Sequence, residues 1–147
     1  MRKSVYIISG NIEYRKMFEA AGYAIIPNFA LDIPSLVCFT GGEDVTPSYY
    51  GESRHPLTYS SLERDKREAD FFNQFVEASI PMVGICRGGQ FLNVMNGGKM
   101  YQHVTNHCGS HLITDVKTQE QILATSTHHQ TMRPGIAGKI ITVANQG

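Results

Sequence analysis

The 147-residue sequence has no tryptophan, only three cysteines and no block of like charge. Cys38, Cys86 and Cys108 are odd in number and share no CxxC spacing. That argues against a disulfide framework and a structural zinc site, and it fits a reducing, cytoplasmic setting. Thirteen basic and thirteen acidic residues cancel, leaving no electrostatic footprint for a nucleic-acid or anionic-membrane partner. The expected partner is a small molecule. No window approaches the eighteen apolar residues of a membrane span. The apolar stretch Val5–Ile8 is too short for the core of a signal peptide, and it reads as a first strand. Internal repeats, low-complexity tracts and linkers are also missing. A chain of this size, 41% hydrophobic, is expected to form one domain over 1–147, burying roughly two-thirds of its unfolded surface.

What is there is an alternation of short apolar runs and amphipathic stretches. Val5–Ile8, Tyr23–Ile26 and Leu36–Phe39 predict strands, and Glu13–Ala21 predicts a helix stopped by Gly22. After a loop over 41–61, Leu62–Ala78 predicts an amphipathic helix. Pro81–Ile85 is apolar without alternation, the pattern of a central parallel strand covered on both faces. Gln90–Met95 predicts a further helix, Leu112–Val116 and Ile140–Val143 further strands, and Gln121–Ala124 is ambiguous. The fold class implied is α/β, a three-layer, doubly wound, flavodoxin-like and mostly parallel sheet, with ligands at the carboxyl ends of its strands.

Two features fall at such ends. Gly84-Ile85-Cys86-Arg87-Gly88 has the spacing of a nucleophile elbow, where the strand-to-helix turn leaves no room for side chains two residues either side of the nucleophile. The amino end of the following helix also favours a thiolate at Cys86. The bland alternative is a small buried cysteine between two turn glycines. Gly41-Gly42 ends a neighbouring strand, either as a simple tight turn or as part of the same site.

Gly84-Ile85-Cys86-Arg87-Gly88-Gly89-Gln90, continued by Phe91-Leu92-Asn93-Val94 and by Gly97-Gly98-Lys99-Met100-Tyr101-Gln102, resembles the nucleophile region of class I glutamine amidotransferases. More narrowly, it resembles their γ-glutamyl-γ-aminobutyrate hydrolase branch. Thr40-Gly41-Gly42-Glu43-Asp44-Val45-Thr46-Pro47, Tyr50-Gly51-Glu52, and Arg64-Asp65 ahead of Glu68 match in order, so the resemblance covers about residues 36–147.

The resemblance implies that Cys86 attacks the γ-amide of glutamine or a γ-glutamyl compound, forms a thioester and releases ammonia or an amine. It implies an oxyanion hole from the backbone N–H groups of Gly42 and Arg87, and substrate contacts from Gly41, Gln90, His128, His129 and Gln130. No cofactor or metal is implied. Arg64, Asp65 and Glu68 read instead as a solvated helix start with surface i,i+4 pairing, outside the site.

A cysteine nucleophile needs a histidine to manage its proton and a third group to orient that histidine. In the resembled family these come from a late His-Pro-Glu-like segment that is not found here, so the domain reads as C-terminally short. Three explanations stay open: a truncated or processed piece, a second polypeptide such as a synthetase subunit completing the site, or a substitute histidine, for which Thr127-His128-His129-Gln130 is a candidate. His103, His107 and His111, with Cys108 among them, recur every four residues. Asn106, Gly109 and Ser110 disfavour the helix that would gather them around a metal. The rivals to catalysis are an incomplete binding or assembly module that keeps the elbow, and a thiol redox role for Cys86.

Overall fold

A computed structural model describes residues 3–105 and 109–144. Strand β1 (Ser4–Ile8) leads into helix α1 (Ile12–Ala20). Asn11 caps that helix by accepting hydrogen bonds from the N–H groups of Glu13 and Tyr14, and Gly22, at φ +82°, takes the left-handed turn that ends it. Then come β2 (Ala24–Ile26), β3 (Leu36–Phe39), a 3-10 turn (Pro47–Tyr50) and α2 (Leu62–Glu77). Strand β4 (Met82–Gly84) runs directly into α3 (Arg87–Met95). The remainder is all strand: β5 (Lys99–Tyr101), β6 (Gly109–Asp115), β7 (Gln121–Ser126), β8 (Thr131–Arg133) and β9 (Thr142–Ala144).

Strands β2-β1-β3-β4 form a parallel sheet in that order, the flavodoxin-like order in which the chain reverses direction across the sheet between β1 and β3. Side chains alternate across it. Val5, Ile7, Leu36 and Cys38 face Phe18 of α1. On the other face Ile8, Val37 and Phe39 pack with Phe72 and Phe75 of α2 and with Phe91 and Val94 of α3. Helices therefore cover both faces, and the expected three-layer α/β architecture is present.

One strand departs from expectation. The unbroken apolar run before Cys86 predicts a central strand covered on both faces, yet β4 lies at the edge of the sheet. Helix α1 packs chiefly on β1 and β2. Val83, in register with Cys38, is consequently 37% exposed. An apolar run states that a strand can be covered, and its position in the sheet decides whether it is.

The C-terminal strands are antiparallel: β5 pairs with β8, and β6 lies between β7 and β9. The ambiguous stretch from Gln121 is thus a strand, and β5 and β8, at three residues each, carry too little pattern to announce themselves. Among the described residues, no helix is long and apolar enough to cross a membrane.

Candidate active site

Cys86 occupies the single residue between Ile85, which follows β4, and α3. Its backbone has φ 54° and ψ −121°, a combination an L-residue adopts only when its surroundings impose it. Those surroundings are glycines. A Cβ at Gly84 would collide with the backbone of Gly88 and Gly89, and one at Gly88 with the carbonyl of Phe39. The carbonyl of Cys86 accepts the N–H groups of Gly89 and Gln90, so the cysteine caps α3, which starts at Arg87, ahead of the predicted start at Gln90. The N–H of Arg87, in the first turn, has no acceptor among the described residues. The Cys86 side chain is exposed, whereas Cys38 is fully buried in the sheet. Burial pushes the Cys38 thiol up to about 11.

Gly41 and Gly42 follow β3 and lie beside this turn. A side chain on Gly41 would begin 3.5 Å from Cys86 Cβ and 3.9 Å from its Sγ. The N–H of Gly41 donates to the Tyr14 hydroxyl at 3.0 Å, while the N–H of Gly42 has no acceptor among the described residues. The two amides expected from the sequence as oxyanion donors, Gly42 and Arg87, thus have no hydrogen-bond acceptor among the described residues. Tyr14 was not legible as part of this region, because its spacing on α1 reads only as one of several apolar positions.

The sequence reading of Arg64, Asp65 and Glu68 as a solvated surface is overturned. Asp65 and Glu68 are both wholly buried, as is the Arg87 guanidinium they hold, which bonds Glu68 through Nη1 and Asp65 through Nη2. Arg64 donates to Glu68 at 2.8 Å, to Glu43 at 2.9 Å, and to the carbonyls of Gly41 and Thr40 at 3.0 and 3.3 Å. The second oxygen of Asp65 accepts the N–H of Thr46 at 2.8 Å. Glu43 is held below the usual carboxylate range by a hydrogen bond from its own backbone N–H and then by Arg64. A signal for this was present: Asp65 and Glu68 share one face of α2 with the buried Phe72 and Phe75.

The histidine loop packs against α3 through Gln90. Gln90 is buried and its amide donates to the carbonyl of Gln130 at 3.4 Å. Gln130 is itself buried, donates to Thr58 Oγ1 at 3.3 Å, and leaves its Oε1 without a partner. The Nδ1 of His128 lies 2.8 Å from the same Gln130 carbonyl, and His129 lies 3.4 Å from an Asp44 oxygen. Gln90, Gln130 and the loop thus brace one another, with the two imidazoles engaged at the loop and at Asp44. His103 stacks on His55 with rings 5.6 Å apart. His111 lies on strand β6 rather than a helix. His107 and Cys108 fall outside the described residues. No group of three metal-ligating side chains is found among the described residues.

Residues 28–145 match the family model described as Peptidase C26. The chain is similar to protein NtpR of Enterococcus hirae, with 40% identity over 68 residues, 46% of this chain and 28% of that protein. It is also similar to a glutamine amidotransferase-like protein of Lactococcus lactis, with 34% identity over 100 residues, 67% of this chain and 41% of that one. The matched segments are thus less than half the length of these relatives. A glutamine amidotransferase from Thermotoga maritima superimposes on 99% of this chain and 68% of its own, with a TM-score of 0.70 and 17% identity, a likeness of fold.

Proposed function

The chain belongs to the peptidase C26 family, and on that premise we propose that Cys86 is the nucleophile of a cysteine hydrolase acting on the γ-amide of glutamine or a γ-glutamyl compound. The observation that carries this reading is the turn itself: a cysteine at φ 54° between strand and helix, exposed, with Gly41 packed beside it. In the reaction, the Cys86 thiolate adds to the γ-carbonyl carbon. The resulting oxyanion is held by the N–H groups of Gly42 and Arg87. The C–N bond then breaks, the nitrogen leaves with an added proton as ammonia or an amine, and water hydrolyses the thioester. On this reading Gly41 borders the thiol, and Gln90, His128, His129 and Gln130 are the candidate substrate contacts. The finer resemblance to γ-glutamyl-γ-aminobutyrate hydrolases makes γ-glutamyl amines the first compounds to try.

The proton handling belongs to a histidine delivered from beyond the described residues, on a strand added at the free edge of β4. Support comes from the exposure of Val83 and of Cys86, both of which such a strand would cover. Exclusion of water from the sulfur would follow. The donor is a longer form of this chain or a partner polypeptide, such as a synthetase subunit that consumes the ammonia. A specific observation favours a second reading, an assembly module that keeps the elbow without turnover: His129 is paired with Asp44 and not with the thiol.

The purified chain, incubated with glutamine and γ-glutamyl amines, separates the two. Ammonia or amine release that disappears in Cys86→Ala establishes the hydrolase. Labelling of Cys86 by a glutamine-like alkylating analogue without turnover identifies a half-built site. Absence of both leaves the assembly module as the function.

A further inference from the structure

The buried ionic cluster has no part in the chemistry just described, yet it joins the two pieces of backbone that carry the oxyanion donors. Arg87 contributes one donor through its N–H and sends its guanidinium into Glu68 and Asp65. Glu68 passes the connection to Arg64. Arg64 ends on the carbonyls of Thr40 and Gly41. A trans peptide points its C=O and N–H in opposite directions. Fixing the Gly41 carbonyl on Arg64 therefore aims the Gly42 N–H away from Arg64, and fixing the Thr40 carbonyl does the same for the Gly41 N–H. That second amide meets the Tyr14 hydroxyl beside Cys86, which shows where peptides held this way point. The guanidinium also fills the space a side chain at Gly42 would need. Glycine is required there so that arginine can reach the backbone.

We propose that Arg64, held by Glu68 and Glu43, is a positioning residue that sets the direction of the Gly41 and Gly42 amides relative to Cys86, and that the Arg87–Glu68–Arg64 chain fixes the separation of the two oxyanion donors. This rests on the hydrolase reading for its purpose but not for its geometry. Arg64 touches no reacting atom. Its guanidinium makes four directed contacts, on Glu68, Glu43 and the carbonyls of Thr40 and Gly41, and a lysine ammonium in its place cannot satisfy backbone and carboxylates together.

The test compares wild type with Arg64→Met, which keeps the stem and removes the donors, and with Arg64→Lys, the milder change should the first not fold. The first readout is the chemical shift and hydrogen exchange of the Gly41 and Gly42 amide protons in the free protein. The second is the rate of Cys86 labelling by a diazoketone analogue of glutamine, whose carbonyl must sit on the oxyanion donors, divided by the rate with iodoacetamide, which needs no such donors. Displaced Gly41 and Gly42 signals with Gly41 exchange at least about tenfold faster, and a labelling ratio lowered about tenfold in Arg64→Met and less in Arg64→Lys, support the proposal. Folded variants with unchanged Gly41 and Gly42 amides overturn it, whatever the labelling shows. Altered amides, with a wild type that prefers iodoacetamide, uphold the positioning role and sink the glutaminase reading instead.

Discussion

The stretch from β1 through Met100 and the stretch from β6 through β9 are built to different standards. Every buried apolar residue among those described lies at or before Met100, from Val5 to Phe91 and Val94. Beyond it the buried side chains are polar, Ser126 and Gln130, while Leu123, Ile136 and Ile141 stand 66% exposed or more. The first region closes a core on both faces of a parallel sheet. The second pairs its backbone into antiparallel ladders and leaves its apolar side chains uncovered. Hydrogen bonding alone can shape a segment, but apolar burial is what stabilises it. The first region therefore carries the stability of the chain, and it also carries the turn with Cys86.

The sharpest way to break that contrast is a matched pair of truncations. Phe91, fully buried and stacked on Phe39 at 5.3 Å, should lose about 3–5 kcal/mol on substitution by alanine. Leu123, 70% exposed on β7, should change by less than about 0.5 kcal/mol. Urea unfolding measures both, and equal losses would mean that the second region hides a core of its own.

Ion pairs give the next contrast. Glu68→Ala leaves Arg87 buried with half its partners and should cost about 3 kcal/mol. Arg133→Ala removes a partly exposed bridge to Glu52 and should cost about 0.5 kcal/mol. Thermal melting at two salt concentrations checks this, because only the second bridge is open to screening.

The smallest effect concerns pH. Cys38 is raised to about 11 by burial, and the unfolded chain ionises the same thiol near its ordinary value. Its contribution is fully present below that ordinary value and declines as pH climbs toward 11, because only the unfolded state releases the proton. Stability should fall over that window in wild type and fall less in Cys38→Ala, by denaturation at pH 8 and pH 10.5. An identical slope in the two would remove Cys38 from the account.

How much of this was legible in the sequence follows the same division. Strand β3 was readable because its apolar run Leu36–Phe39 is closed by Thr40-Gly41-Gly42, and helix α2 because sixteen residues carry its amphipathic pattern. The elbow was readable because glycine at 84 and 88 answers a steric demand that only a tight strand-to-helix turn makes. The edge position of β4 was not readable, since an apolar run is the same whether or not a neighbour covers it. The buried carboxylates of α2 were misread because Asp65 and Glu68 follow Arg64 in the manner of a surface helix. Their burial depends on Arg87, a partner nineteen or more residues away in sequence. The short strands β5 and β8 exist only by pairing with each other, so neither could be found alone.

The backbone of Cys86 has one more consequence, for anyone selecting this domain for durability. At φ 54° and ψ −121° the residue best suited to the position is glycine, and the cysteine is held there against its own preference by about 1 kcal/mol or more. A library sorted on heat resistance alone would be drawn toward glycine at 86, discarding the sulfur as its reward. Retention of the thiol in a sorted population would have to be enforced by a second, chemical selection.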